Sequence, residues 1–257
     1  MNKLMQLLRD NAARNEGTPP PIRAEAGDQC VDLYVYDVID PFWGASANAL
    51  IQALTAAAGQ PVCLHINSPG GDVFEARAMA AAVASYTGPV EACIDGICAS
   101  AATYLALAAQ KVCMVDGALL MIHNSWTLAY GDKVDLRSTA DLLEKIDGAI
   151  AADYMRKTKC SAEQVKTWMD AETWFTAQEA QAAGFIDEID PNTQAGDMSE
   201  DAADDPAAAR WNLSAYANAP AKQAPRVPHR RDASAQAAQA ARQLQANRNR
   251  LRLVTQI

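Results

Sequence analysis

Residues 65–109 read HINSPGGDVFEARAMAAAVASYTGPVEACIDGICASAATYLALAA. The apolar run VCLHI (62–66) leads into Ser-Pro-Gly-Gly, and an Ala-rich stretch with helical spacing follows over 73–86. A second apolar, β-branched run, VEACI (90–94), then gives way through GICASAA to another Ala/Leu-rich stretch. Strands that are nearly continuously apolar and alternate with helices predict an α/β protein whose sheet is covered on both faces. Working outward, the alternation runs from Cys30 to about Ile189. CVDLYVYDVI, KVCMV, LLMIH and FIDEI read as strands, and residues 45–58, 99–110 and Leu136 to Thr158 as helices.

Two further helix starts carry capping-box spacing, Ser161 with Gln164 and Thr176 with Glu179. There the hydroxyl and the third side chain satisfy orphan N–H groups reciprocally. These signals place 161–169 and 176–184 on helices, with ETWF (172–175) as the bend between them.

Outside this block the chain changes character. Leu4, Met5, Leu7 and Leu8 share one face of a short helix that Pro19, Pro20 and Pro21 forbid from continuing, so residues 16–28 read as a linker. Beyond Asp190, residues 192–232 are rich in Pro, Ala and acids and then in basic residues, and are expected to lack structure. Residues 234–253 suit a solvated or partner-dependent helix. The expected organisation is an N-terminal helix and linker (1–28), one compact domain (29–190), and a polar, basic, largely disordered extension (191–257).

The 257 residues carry a net charge of −9 that is unevenly spread. Residues 206–257 hold nine Lys/Arg against one acid, Asp232, so an acidic body of −17 is joined to a +8 extension. Cations of that number attract phosphate, yet aromatic interleaving stops at Trp211 and Tyr216 and no nucleic-acid module is matched. The extension therefore reads as solvated or self-docking on the acidic body. No apolar run reaches the ~18–20 residues a bilayer span needs, and the first residues lack a secretory leader. With no C-x-x-C among six cysteines, the expectation is reduced, buried thiols in a cytoplasmic protein. With three histidines and no ligand-spaced cluster, no metal and no cofactor are expected.

Chemistry concentrates in the quoted stretch. Ser-Pro-Gly-Gly at a strand end lets backbone N–H groups face a ligand without obstruction by Cβ. Ser100 follows a strand end among small residues at the start of a helix, where N–H groups can receive a developing oxyanion; it could equally cap or pack in that helix. A serine nucleophile needs a base. His229 lies in the extension and His65 in a buried-strand pattern, whereas His123 ends LLMIH where the chain leaves the sheet. Cys98 is a rival nucleophile, but its neighbours offer no cation to lower a thiol pKa.

INSPGG, GICASAA and MIH, in this order and with Gly71 and Ser100 29 residues apart, resemble the three blocks of the Clp protease proteolytic subunit family. The resemblance covers about Cys30 to Ile189 and implies a crotonase-like α/β fold of repeated ββα units, cleaving peptide bonds with a catalytic triad. It further implies Ser100 as nucleophile, His123 as base, and the N–H groups of Gly71 and Ala101 as oxyanion hole. The family's acidic stretch maps onto MDAETWFTAQEA, where Asp170 is the first choice for the triad acid and Glu172 the alternative. A homo-oligomeric ring is implied by the handle region after His123 and the long helix behind it.

The first 28 residues do not resemble the family's axial segment, so an ATP-independent endopeptidase without an ATPase partner is expected. A foreign N-terminus with a long polar extension is similar to the Clp-like head maturation proteases of tailed phages and prophages. That implies capsid or scaffold proteins as substrates, in the bacterial host cytoplasm or a phage prohead. Competing readings are a catalytically silent capsid-assembly protein of the same fold, a crotonase-fold acyl-CoA enzyme, and a Ser/Lys-dyad peptidase, for which no suitably placed lysine is evident.

Overall fold

The computed structural model describes residues 22–27, 29–190, 211–213 and 215–220. The short N-terminal helix and the helix expected over 234–253 lie outside these residues. All the described residues except Pro220 fall in one compact unit that runs to Ala219.

Among the described residues eight strands form one mixed sheet: β1 (Ile22–Ala26), β2 (Val31–Val35), β3 (Val62–Ser68), β4 (Val90–Ala99), β5 (Lys111–Val115), β6 (Leu119–Ile122), β7 (Thr173–Phe175) and β8 (Glu188–Asp190). The order β1-β2-β3-β4-β5-β8 is parallel from β2 onward, with β1 antiparallel at one edge. β1 corrects the reading of 16–28 as linker, since Ile22 to Ala26 pair with Val35 to Val31. On the side away from β3 the long β4 has two partners in succession: Glu91–Ile94 lie beside β5, and Ile97–Ala99 lie beside β6. β6 in turn pairs antiparallel with β7. The segment expected to be a bend between two helices is thus a strand over Thr173–Phe175.

The helices are α1 (Ala47–Ala57), α2 (Val73–Ser85), α3 (Ala102–Leu107), α4 (Lys133–Thr158), α5 (Ala162–Asp170) and α6 (Ala177–Ala182). Side-chain caps start five of them, from Ser46, Asp72, Asp132, Ser161 and Thr176, and Thr176 with Glu179 closes the capping box. The Ser161 hydroxyl accepts from the Gln164 N–H, one half of the box expected there. Leu50, Leu54, Met79, Val83 and Leu105 from α1–α3 pack on Leu33, Leu64, Ile66, Ala92 and Ile94 of the sheet.

Six reduced thiols are not what the fold holds. The β2–β3 register places Val31 beside Val62, and Cys30 and Cys63, each next to one of that pair, are joined in a disulfide. Cys93, Cys98, Cys113 and Cys160 are free, the first and last only half-buried. Residues 192–232 are also not wholly without structure, because Trp211–Leu213 and Ala215–Ala219 pack on the compact unit as described below. No described helix is long and apolar enough to cross a membrane.

Candidate active site

Strand alternation decides which side chains meet, because successive residues point to opposite faces. Cys98 on β4, Leu120 and Ile122 on β6 and Phe175 on β7 belong to the main core. The intervening residues Ala99, Met121 and Trp174 form a second cluster on the opposite face. Ser100 and His123 follow the ends of β4 and β6, and the site is built there.

Ser100 has a φ of +55°, a left-handed conformation that costs a non-glycine residue of order 1 kcal/mol. Neighbouring bonds hold it. The Ser100 N–H donates to Met121 O at 2.8 Å, and Ser100 O accepts from the Thr103 N–H at 3.0 Å and the Thr103 hydroxyl at 2.7 Å. The Thr103 hydroxyl also bonds the buried Tyr154 hydroxyl of α4 at 2.7 Å. This sharp strand-to-helix turn lifts the Ser100 side chain clear of the sheet. His123 Nε2 lies 2.7 Å from Ser100 Oγ. Burial pushes the His123 pKa below that of a free imidazole, with the carboxylates of Glu172 and then Asp147 acting in the opposite sense. The ring is thereby kept neutral and able to accept a proton.

Gly70 and Gly71 continue β3 into α2 with φ of +87° and +151°. They are threaded between two backbones: a Cβ on Gly70 would lie 2.5 Å from Ala99 O and 3.0 Å from Ala101 N, and one on Gly71 2.1 Å from Ile39 O. The Ile39 N–H donates to Gly70 O and the Asp72 N–H to Ile39 O, which fixes the turn. Ala101 precedes α3, so its N–H belongs to the first turn, where a helix has no carbonyl of its own to offer. The Gly-Gly turn and the Ser100 turn are therefore adjacent, with backbone N–H groups at hand for a developing negative charge.

The two acids considered for the triad part company. Asp170, at the end of α5, is exposed, accepts from Asn124 Nδ2 at 2.8 Å and pairs with Lys166 at 3.2 Å, contacts that lower its pKa. The structure directs it to Asn124 and Lys166. Glu172 immediately precedes β7, and its carboxylate is the larger of the two that act on the His123 ring. Its carboxylate accepts from Trp174 Nε1 at 3.3 Å and from the backbone N–H groups of Ala217 and Asn218 at 2.8 and 2.6 Å.

The remaining candidates fall away on geometry. Cys98 is fully buried on the core face, and burial holds its thiol far above the usual range. His65 stacks on Tyr34 and bonds Asp95 at 2.9 Å. Burial alone would lower its pKa, but Asp95 and Asp32 raise it, as suits a structural histidine. The handle region has no regular secondary structure over 124–130. It is anchored where the Ser125 N–H donates to Asp147 Oδ1 at 2.6 Å.

Sequence comparison agrees with this geometry. The Clp protease family profile matches residues 35–193. A Clp protease proteolytic subunit of Streptococcus thermophilus, named as ATP-dependent, is 28% identical over 193 residues, spanning 65% of this chain and 93% of that protein. A subunit 1 of the same name from Chlamydia abortus is 32% identical over 135 residues, spanning 51% of this chain and 70% of that protein. A mutant ClpP1 from Listeria monocytogenes superposes with a TM-score of 0.57 at 22% identity, over 63% of this chain and 91% of its own, which speaks to the fold. With the fold, the three blocks in order and the family match over most of the compact unit, the chain belongs to the Clp protease family and is a serine peptidase of that type.

Proposed function

We propose that the chain hydrolyses peptide bonds with Ser100 as nucleophile, His123 as general base and Glu172, rather than Asp170, as the acid that orients the imidazole. The observation that carries the reading is the 2.7 Å approach of His123 Nε2 to Ser100 Oγ at a strained turn beside the Gly70–Gly71 loop. His123 takes the hydroxyl proton as Ser100 Oγ attacks the carbonyl carbon, and the oxyanion is received by the Gly71 and Ala101 N–H groups. The same proton passes from His123 to the leaving amine, whose bond to carbon breaks. Water, deprotonated by His123, then releases the acyl group and restores Ser100. Glu172 is preferred because its carboxylate is the larger of the two acting on the buried His123 ring, whereas Asp170 is exposed and engaged by Asn124 and Lys166.

Protein chains are the substrates under this reading, with capsid or scaffold proteins of a phage as the physiological set. The support is the long extension outside the family match together with an N-terminus unlike the family's. That N-terminus also supports cleavage without an ATPase. Exposed Leu128 and Tyr130 of the handle and Val134, Leu136 and Leu142 of α4 support assembly into a homo-oligomeric ring through these elements. The testing experiment is hydrolysis of an unfolded protein by the purified chain alone, with Ser100→Ala as control. Cleavage by the parent chain and none by the variant supports the reading; equal cleavage by both overturns it.

A further inference from the structure

Across the catalytic pair lies a piece of the chain's own extension. Leu213, Ala215, Tyr216 and Ala219 pack on Ile97, Ala99, Met121 and Trp174, the sheet face that carries Ser100 and His123. The Tyr216 ring meets the His123 ring edge-on, with centroids 5.4 Å apart, and meets the Trp174 ring at 5.9 Å. Its hydroxyl donates to Pro69 O in the Ser-Pro-Gly-Gly turn and also faces Ser100. The segment is held at both ends. Trp211 Nε1 donates to Asn67 Oδ1 at 3.1 Å, while Ala217 and Asn218 donate their N–H groups to Glu172 and Asn218 Nδ2 donates to Ala171 O at 2.7 Å.

We propose that residues 211–213 and 215–219 are a built-in occupant of the peptide-binding groove, an autoinhibitory cap with Tyr216 as its plug. The inference rests on the peptidase reading of Ser100 and His123. The group presented to the catalytic pair is a phenol, which has no carbonyl carbon for Ser100 to attack, so the segment blocks the site without being consumed there. It also engages the Glu172 carboxylate with two backbone N–H groups, in competition with His123 for that acid. The plug contacts the Gly loop, both catalytic residues and the β7 side at once, so a substrate peptide cannot enter while it is seated. The +8 charge of residues 206–257 against the −17 body favours its return to the site after displacement.

The test compares the full-length parent chain with Tyr216→Ala and with a chain ending at Asp205, using a fluorophosphonate probe for Ser100 and diethyl pyrocarbonate for His123. The cap predicts labelling of Ser100 at least tenfold faster in both altered chains. It also predicts that a synthetic peptide of residues 211–220, added to the truncated chain, slows labelling again. Equal Ser100 labelling rates in the parent and Tyr216→Ala overturn the cap. If Ser100 is labelled in none of the chains, the peptidase reading fails instead, and carbethoxylation of His123 decides on the cap alone. Faster modification in Tyr216→Ala then upholds it, and an equal rate overturns it. Should the truncated chain fail to fold, the point variant carries the comparison.

Discussion

His123 follows β6 and Glu172 precedes β7, two strands that pair antiparallel, and the Glu172 carboxylate acts on the buried His123 ring. The β6–β7 pairing thus brings a segment 49 residues away in sequence to the proposed base. It also gives the short β7 a purpose beyond edge pairing. Glu172 itself has a φ of +47°, the kind of local strain that surrounding structure sustains at functional sites.

Replacing the orienting acid should therefore separate the two candidates. In a Tyr216→Ala background, where loss of the cap cannot confound the result, Glu172→Gln should lower kcat/KM by ~10²–10⁴, as expected when an imidazole loses the partner that fixes its tautomer. Asp170→Asn should stay within about threefold, since it breaks only exposed contacts to Asn124 and Lys166. Steady-state hydrolysis of a fluorogenic peptide checks both.

The pH profile carries a sign. The reaction needs neutral His123, whose pKa burial holds below 6.5, so Ser100 labelling in the parent chain should fall on acidification with a midpoint under that value. Removing Tyr216 exposes the ring and frees Glu172 to stabilise imidazolium, and both changes raise the pKa. The midpoint should accordingly move upward in Tyr216→Ala, a shift that labelling rates between pH 4 and 9 would reveal.

Gly70→Ala places a Cβ 2.5 Å from Ala99 O and 3.0 Å from Ala101 N at a φ of +87°. The Gly loop or the Ser100 turn must then shift, displacing the donors of the oxyanion hole. Losing one such donor costs ~3 kcal/mol of barrier, so kcat should drop ~10²-fold or more. A parallel thermal melt separates this loss from unfolding, because KM changes little if the groove survives.

Cys98→Ala addresses the rival nucleophile. Its side chain lies on the core face, so labelling of the site should persist within about threefold. The cavity left should cost about 1–2 kcal/mol of stability, read in a denaturant melt.

Much of this was legible in the sequence because it is local. Apolar strand runs and capped helices mark the α/β order, while Ser100, which its small neighbours leave open to a capping role, and His123 stand out through the three blocks that resemble the Clp protease family. β7 was hidden because three residues, Thr173–Phe175, carry no periodicity, and only pairing with β6 makes them a strand. The contact of Asp170 with Asn124, 46 residues away, which bears on the choice between Asp170 and Glu172, is likewise invisible before the fold is known. Cys30 and Cys63 lie 33 residues apart and are brought together by β2–β3 pairing. Charge alone leaves the extension solvated or self-docking. The contacts that hold it are instead Tyr216, Trp211 and backbone N–H groups, embedded in a stretch whose composition suggests disorder.

The most direct measurement is mass-spectrometric mapping of a fluorophosphonate adduct on the parent chain, Ser100→Ala and His123→Ala after prolonged incubation. The account predicts a single adduct on Ser100 in the parent, none in Ser100→Ala, and labelling slowed by at least ~10² in His123→Ala. An adduct that persists in Ser100→Ala would contradict it.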